Sequence, residues 1–496
     1  MALRVYNTLS GQKEIFEPVV AGKVGIYLCG PTVYKPPHMG HLVGPVIFDT
    51  IKRYLTFKGF KVTLVVNITD VEDKLINAAI EEKTTVAELA QRYTKDYFDA
   101  LAGLGIDTVD HFPRASEHIR QIIAMCEKLI EQGFAYAADG NVWFDVARDS
   151  AYGKLSHRRP EDQESGLRDL EGAGKRHAAD FGLWKAAKPE EPSWDSPWGR
   201  GRPGWHIECS AMSMQYLGES FDIHGGGLDL LFPHHENELA QSECCTGKPF
   251  ARYWMHNGLT KIKTKLASGE VRSEKMSKSI GNVIDAKQLI AQHGAELLRY
   301  LLLSTHYRSP IDFSDEVVAA ATSGLSGFGR LFQRVHRLAP PAPTADLDGI
   351  TVKSLSATSA AFVEAALASR NKFLEAMDDD FNTGGAIGAL HELANLTNGF
   401  LEQAGQPQPG SDAIAAAQAA VGTLRKLGQI LGLFTAPAAA PADDGLAEKL
   451  MQLLIKLRQE ARHSKNFALA DGIRKGLLEV GVVLEDRPHG TDWLRQ

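Results

Sequence analysis

Lys23-Val24-Gly25-Ile26-Tyr27-Leu28-Cys29, stopped by Gly30-Pro31 and followed by His38-Met39-Gly40-His41, is the stretch that decides the fold. The first run is short, apolar and rich in strand formers, and a Gly-Pro pair cannot extend it. From His41 to Lys58 apolar residues recur at helical spacing (Leu42, Val46, Phe48, Ile51, Tyr54, Leu55) up to Gly59. Lys61 to Asn67, with Val62, Leu64, Val65 and Val66, is strand-like again. Strand, helix, strand predicts a parallel βαβ unit in an α/β fold.

Outward from this unit, helical patterns run over Val86 to Leu101 and Ile119 to Gln132, with a strand expected around Asn141 to Val146. Arg158 to Pro203 is rich in Gly, Pro, Trp and charge and reads as irregular, so roughly 112–200 is taken as an insertion. A strand at Phe221-Asp222-Ile223-His224 and helices over Pro233 to Cys245 and Ala286 to Leu303 complete a catalytic-type domain over residues 1–315. Beyond it Val317 to Val335, Leu355 to Met377 and Thr383 to Gln403 predict a helical bundle over 316–435. The Ala/Pro stretch from Ala436 to Pro441 is linker-like and sets off a small C-terminal domain, 443–496.

A chain of 496 residues with 44% hydrophobic and 23% charged residues has the composition of a folded, multidomain globular protein. The N-terminus lacks the pattern of a secretory leader and no apolar run could span a bilayer, so a cytoplasmic protein without membrane partners is expected. Five cysteines, two of them the adjacent pair Cys244-Cys245, show no close CxxC pair and suit a reducing compartment. The net charge of -7 argues against indiscriminate nucleic-acid binding. From Lys449 to Gln496, however, nine Lys/Arg stand against six Asp/Glu, a weak sign of an RNA-facing tail.

Two motifs carry phosphate chemistry. His38-Met39-Gly40-His41 opens a helix after Pro36-Pro37, and a helix start offers free N–H groups and a positive dipole end to an anion. His38 and His41, three apart, project from one face, and Gly40 allows close approach to the backbone. Two imidazole donors there suit an α-phosphate gaining charge, although read alone they serve equally well as ordinary caps. Far along the chain, Glu274-Lys275-Met276-Ser277-Lys278-Ser279 places Lys275 and Lys278 where they could neutralise a departing pyrophosphate. Together these stretches resemble the H-I-G-H and K-M-S-K-S signatures of class I aminoacyl-tRNA synthetases, with Met39 in place of Ile. The resemblance implies a Rossmann-type catalytic domain, ATP binding through His38, Gly40, His41, Lys275 and Lys278, Mg2+ with the ATP, and adenylate formation.

An enzyme of this class that takes cysteine would have to separate it from serine or alanine, which shape does by only about 1–3 kcal/mol per small group. A zinc ion binds thiolate strongly and has far less use for a neutral hydroxyl. Candidate ligands are Cys29, Cys209 in Gly204-Trp205-His206-Ile207-Glu208-Cys209-Ser210, and His234 and Glu238, four apart at an expected helix start. Spacing does not single them out. Leu28-Cys29-Gly30-Pro31-Thr32-Val33-Tyr34, Asn67-Ile68-Thr69-Asp70-Val71-Glu72-Asp73-Lys74, Gly201 to Ser210 and Asp222-Ile223-His224-Gly225-Gly226-Gly227-Leu228-Asp229-Leu230 resemble cysteinyl-tRNA synthetases. That resemblance implies one zinc held by Cys29, Cys209, His234 and Glu238, with His206, His224 and His235 as alternative or supporting groups. It also implies an amino-acid pocket lined by Thr69 and Trp205. Departures are Glu72, where the family usually has Asp, and a long basic run from Thr260 to Ser273.

Near the C-terminus Arg462, Lys465, Phe467, Asp471 and Arg474, then Leu484-Glu485-Asp486, resemble the family's anticodon-recognition region. Arg462, Phe467, Asp471, Arg474 and Asp486 are the expected tRNA contacts, since arginine and aromatic groups stack on splayed bases and carboxylates accept base amino groups. Asp379-Asp380-Phe381-Asn382-Thr383 resembles part of the helical domain that supports tRNA binding. The implied reaction activates L-cysteine with ATP and transfers it to tRNA(Cys), by an enzyme expected to be a monomer. Ligases that join cysteine to an aminosugar would share the zinc and adenylation sites without the C-terminal module. A plain nucleotidyltransferase would need no zinc, and a non-catalytic zinc RNA-binding protein would not need both histidines and both lysines.

Overall fold

The computed structural model describes residues 2–158, 174–265, 271–275, 285–340, 345–404, 409–435, 446–487 and 490–495. Its central sheet has four parallel strands, β1 (Lys23–Leu28), β2 (Lys61–Val66), β3 (Phe221–Gly227) and β4 (Ala251–Asn257), in the order β4-β3-β1-β2. Helix α1 (Met39–Phe57) connects β1 to β2, α2 (Trp205–Leu217) precedes β3, and α3 (Glu236–Thr246) connects β3 to β4. The near-continuous apolar runs of β1 and β2 fit strands covered on both faces. Strand order reverses between β1 and β3. In open α/β sheets such a reversal leaves a crevice outside the carboxyl ends of the strands, where ligands bind.

Helix α1 is buried over most of its surface because it lies between this sheet and a set of helices. Its Asp49 pairs with Arg299, and both side chains are almost wholly buried. Arg299 also donates to the carbonyls of Leu104 and Leu431, tying α1 to the end of the helical bundle. Removing one partner of a buried pair like this costs about 3–5 kcal/mol.

The bundle comprises helices Asp315–Leu338, Ala357–Asp378, Thr383–Ala404 and Ser411–Ile430. Their buried residues belong to the same hydrophobic cluster as those of α1 and β1, from Leu3 to Phe434, and Met1–Thr435 forms one compact unit. At the bundle's tight corner Asp380 is fully buried. It accepts from the Tyr6 amide (2.8 Å), the Tyr307 hydroxyl (2.9 Å) and Arg308 Nε (2.8 Å). The Asp379-Asp380-Phe381 stretch thus has a locking role that its sequence alone does not disclose. A second unit, Ala436–Gln496, contains helices Leu446–His463 and Phe467–Glu479 and the hairpin Val482–Arg487/Gly490–Arg495, packed on Met451, Ile455, Leu477 and Leu484.

Several expectations need correction. The stretch read as irregular contains strands Phe181–Ala186 and Gly201–Pro203, which join Ala135–Ala138 and Asn141–Phe144 in an antiparallel sheet. Their buried Leu183 and Trp184 were obscured by the surrounding glycines and charges. The strand expected to reach Val146 ends at Phe144. The helix expected over Ala286 to Leu303 is two, Ala286–His293 and Ala295–Leu303, broken at Gly294, whose φ of +78° is outside the helical region. The basic run after Thr260 forms strand Thr260–Lys265, paired with Val271–Lys275. The helix expected from Pro233 begins only at Glu236, after a turn over Leu231–His235 in which Phe232 is extended. Among the described residues no helix is long and apolar enough to cross a membrane.

Candidate active site

A cavity of about 660 Å3 opens at the carboxyl ends of the parallel strands, lined at one end by Cys29, Trp205, Cys209 and His234 and at the other by His38, Gly40 and His41. Cys29 extends β1, its amide donating to Gly225 O of β3 at 3.0 Å. Gly30 follows, fixed by the Asn67 side chain, which accepts its amide at 2.8 Å. A Cβ on Gly30 would lie 1.8 Å from the Asn67 carbonyl oxygen, so the close approach of these two strand ends requires glycine.

Cys209 comes from the first turns of α2, His234 from the turn before α3, and Glu238 from α3 itself. Although the helix begins two residues after His234, its Nε2 still lies 3.0 Å from Glu238 Oε1. Cys29 Sγ is 3.8 Å from Cys209 Sγ and 3.4 Å from Glu238 Oε1, and Cys209 Sγ is 3.7 Å from His234 Nε2. All four donor atoms lie within 4.8 Å of one another. Around a tetrahedral ion with bonds of about 2.0–2.3 Å, neighbouring donors sit roughly 3.3–3.8 Å apart. Two sulfurs, one imidazole nitrogen and one carboxylate oxygen at these spacings fit a single four-coordinate cation.

Electrostatics agree with the geometry. Burial opposes ionisation of Glu238, but His224 and His234 overcome it and hold the carboxyl well below its usual range. Burial likewise opposes a charge on His234, yet Glu238 and Cys209 raise its pKa to about 10. Cys209 is drawn down to about 7, chiefly by its hydrogen bond with Cys29. Burial, with Cys209 and Glu238, pushes the Cys29 thiol well up, so the empty set holds protons on Cys29 and His234 that a dication must displace.

Neighbouring histidines brace two of these candidate donors. His224 Nε2 lies 2.8 Å from Glu238 Oε2, and His206 Nδ1 lies 2.9 Å from His234 Nδ1. With His234 Nε2 facing a metal, its Nδ1 carries the proton and donates to His206, which fixes both tautomers. His235 Nδ1 contacts His256 Nε2 at 2.8 Å, and with Cys29 and His224 it forms a second, overlapping group of metal-ligating side chains. Trp205 stacks on His234, with centroids 4.1 Å apart. Thr69 is buried at the end of β2 and its hydroxyl accepts from Asn67 at 3.2 Å.

At the other end the helix cap sets the two histidines. His38 Nδ1 accepts from the Gly40 amide at 3.1 Å, and His41 Nδ1 accepts from the His38 amide at 3.4 Å. Both Nδ1 atoms being acceptors, each neutral ring carries its proton on Nε2, and the rings stack with centroids 3.8 Å apart. Gly40 has a reason the sequence did not disclose: a Cβ there would meet the His38 ring at 2.9 Å. Lys275 ends its strand opposite Lys261, beside the cavity-lining Thr260. Its side chain and the whole of Lys278 lie outside the described residues. Downstream, the chain is tied back to the histidines: Ala286 N donates to Pro37 O at 3.0 Å, and Asp285 pairs with His38.

A family model described as "tRNA synthetases class I (C) catalytic domain" matches residues 15–323, and a "DALR domain" model matches residues 372–435. A "Cysteine--tRNA ligase" of Pelotomaculum thermopropionicum is 45% identical, with 100% of both chains covered. One of the same name from Geobacter metallireducens is 46% identical over 99% of each chain. The chain belongs to the cysteinyl-tRNA synthetase family. Fold likeness reaches other synthetases: a Mycobacterium tuberculosis methionyl-tRNA synthetase superposes with a TM-score of 0.60 at 18% identity, over 87% of this chain and 94% of that one.

Within this synthetase the sequence reading passed over Asn67, Lys74, Asp229 and Asn257, all of which line the cavity. Asn67 and Asn257 stand at carboxyl ends of parallel strands, a position that could have marked them. Glu72, the departure from the family pattern, caps helix Asp73–Glu82 by accepting from the Lys74 amide at 2.8 Å. Of the residues assigned to RNA, Asp486 is engaged inside the second unit. It accepts two bonds of 2.7 Å from Arg458 and one of 3.1 Å from Arg462. Asp471 and Arg474 are exposed, and Phe467 is 59% exposed at a helix start.

Proposed function

We propose that this synthetase selects L-cysteine on one zinc ion held by Cys29, Cys209, His234 and Glu238, and activates it at the adjoining histidine helix start. The observation that carries the reading is the closeness of those four donors, of which Cys29, Cys209 and His234 line the cavity that also contains His38 and His41. Bound there, zinc supplies a soft Lewis acid that favours a substrate thiolate over the hydroxyl of serine. Trp205, stacked on His234, and Thr69 shape the space beside it for the rest of the amino acid.

In the first step a cysteine carboxylate oxygen attacks the α-phosphorus of ATP, and the bond to the pyrophosphate oxygen breaks. His38 and His41 present Nε2–H donors, and the helix start its backbone donors, toward the oxygens that gain charge. Lys275 and Lys278, with Mg2+, neutralise the departing pyrophosphate. In the second step a ribose hydroxyl at the 3′ end of tRNA(Cys) attacks the acyl carbon and AMP leaves. No side chain serves as a covalent nucleophile.

The domain reading that accompanies this is a catalytic domain over 1–315 with its insertion, a tRNA-supporting bundle over 316–435 and an anticodon-reading domain over 443–496, in a cytoplasmic monomer. Arg462, Phe467, Asp471, Arg474 and Asp486 are the proposed RNA-facing set, with Asp486 acting by fixing Arg462. The test is cysteine-dependent exchange of pyrophosphate into ATP, followed by charging of purified tRNA. Both are expected. Exchange without charging would point to a different acceptor, and the absence of both would contradict the proposal.

A further inference from the structure

Tyr27 stands beside the metal ligands and takes no part in the steps above. It is on β1 two residues before Cys29, so the two side chains project from the same face of the sheet. It is fully buried, in a cluster with Cys209, Met212, Leu239 and Trp254, and its ring centroid is 5.3 Å from that of His224. No acceptor meets hydrogen-bond geometry at its hydroxyl among the described residues. Burial raises the pKa of this hydroxyl well above its ordinary value, and the nearby Cys209, Cys29 and Glu238 raise it further. Buried hydroxyls as a rule have a partner, since an unpaired one has lost water without replacement. A neutral thiol is a weak acceptor, and a metal-held thiolate is charged and strong.

We propose that Tyr27 is a positioning residue of the metal centre, its hydroxyl donating to the sulfur of Cys209 when that sulfur is a metal-bound thiolate. The inference rests on the zinc reading of Cys29, Cys209, His234 and Glu238. Tyr27 orients one ligand and withdraws charge from its sulfur, as outer partners of metal ligands do. The acceptor is thus supplied by the loaded centre.

The test is Tyr27→Phe in the full-length protein, which removes one oxygen and keeps the ring. Zinc dissociation would be measured by chelator competition, and the sulfur-to-metal charge-transfer band recorded after Co2+ replacement. About tenfold weaker zinc binding is expected, in the 10–100-fold range typical of outer-shell partners. The Co2+ band should shift to longer wavelength, because a sulfur without its donor holds its electrons less tightly. The melting temperature of the metal-free variant should not fall below that of metal-free wild type, since only an unpaired hydroxyl is lost there. Zinc affinity within twofold of wild type and an unmoved band would overturn the proposal, as would equal destabilisation of the metal-free and zinc-loaded forms. Wild-type protein that fails to bind one zinc would instead overturn the ligand reading itself.

Discussion

At one end of the cavity Cys209, His234 and Glu238 are almost wholly buried, brought from separate segments and braced by His206 and His224. At the other end His38 and His41 are only half-buried, lie within one helix turn and are oriented by their own backbone. Under the proposed function, the difference follows from two tasks. Telling a thiol from a hydroxyl needs donors preset around a cation and shielded from water, which many long-range contacts provide. Stabilising charge on a phosphate needs aligned donors with access to a large polar ligand, and a helix start supplies these locally.

The first prediction separates the two ends most sharply. Cys209→Ser should weaken zinc by more than about 100-fold, beyond the usual effect of an outer-shell partner, and abolish measurable cysteine activation. Equilibrium dialysis of zinc and pyrophosphate exchange would check it, and retained zinc with normal exchange would break the contrast. His41→Ala should do the converse, slowing exchange about 100-fold while zinc content stays at that of wild type. Loss of zinc in that variant would mean the ends are not independent.

A smaller effect should arise far from both ends. Burial opposes the charge on Asp380, but the His306 ring, 3.3 Å away, and hydrogen bonds from the Tyr6 amide, Tyr307 and Arg308 hold its pKa below the ordinary value. Asp380→Asn should therefore lower unfolding free energy by about 2–4 kcal/mol near pH 7 while zinc content is kept. A depressed carboxyl pKa gives stability that is present above its unfolded value, about 3.9, and lost as pH falls through the folded one. The difference between wild type and variant should thus be constant above about pH 5 and shrink below about pH 4. Denaturant melts across that range would show it, and a gap that widened on acidification would be the wrong sign.

The smallest effect concerns the second unit. Phe467→Ala should raise the KM for tRNA about fivefold, the low end of one lost base-stacking contact, with pyrophosphate exchange unchanged. Unaltered charging kinetics would remove Phe467 from the RNA-facing set.

The same contrast explains what could be read from the sequence. The β1–α1–β2 unit and the histidine cap depend on contacts within some 40 residues, so periodicity and turn chemistry specify them. The proposed metal set joins residues 29, 209, 234 and 238 through the pairing of β1 with β3 and the packing of α2 beside α3, and only family resemblance selects those four from the other cysteines and histidines. The bracing roles of His206 and His224, the lock at Asp380 and the buried position of Tyr27 depend on tertiary burial, to which local pattern is blind. Strands Phe181–Ala186 and Gly201–Pro203 were missed for a related reason: their pairing partners lie across a Gly- and charge-rich stretch that looks irregular in isolation.

The most direct test of the account is the ratio of cysteine to serine activation, measured by pyrophosphate exchange with zinc-loaded and zinc-stripped protein. The account predicts that stripping collapses the ratio toward the roughly 10–200-fold that pocket shape alone provides. A ratio unchanged by removal of zinc would contradict it.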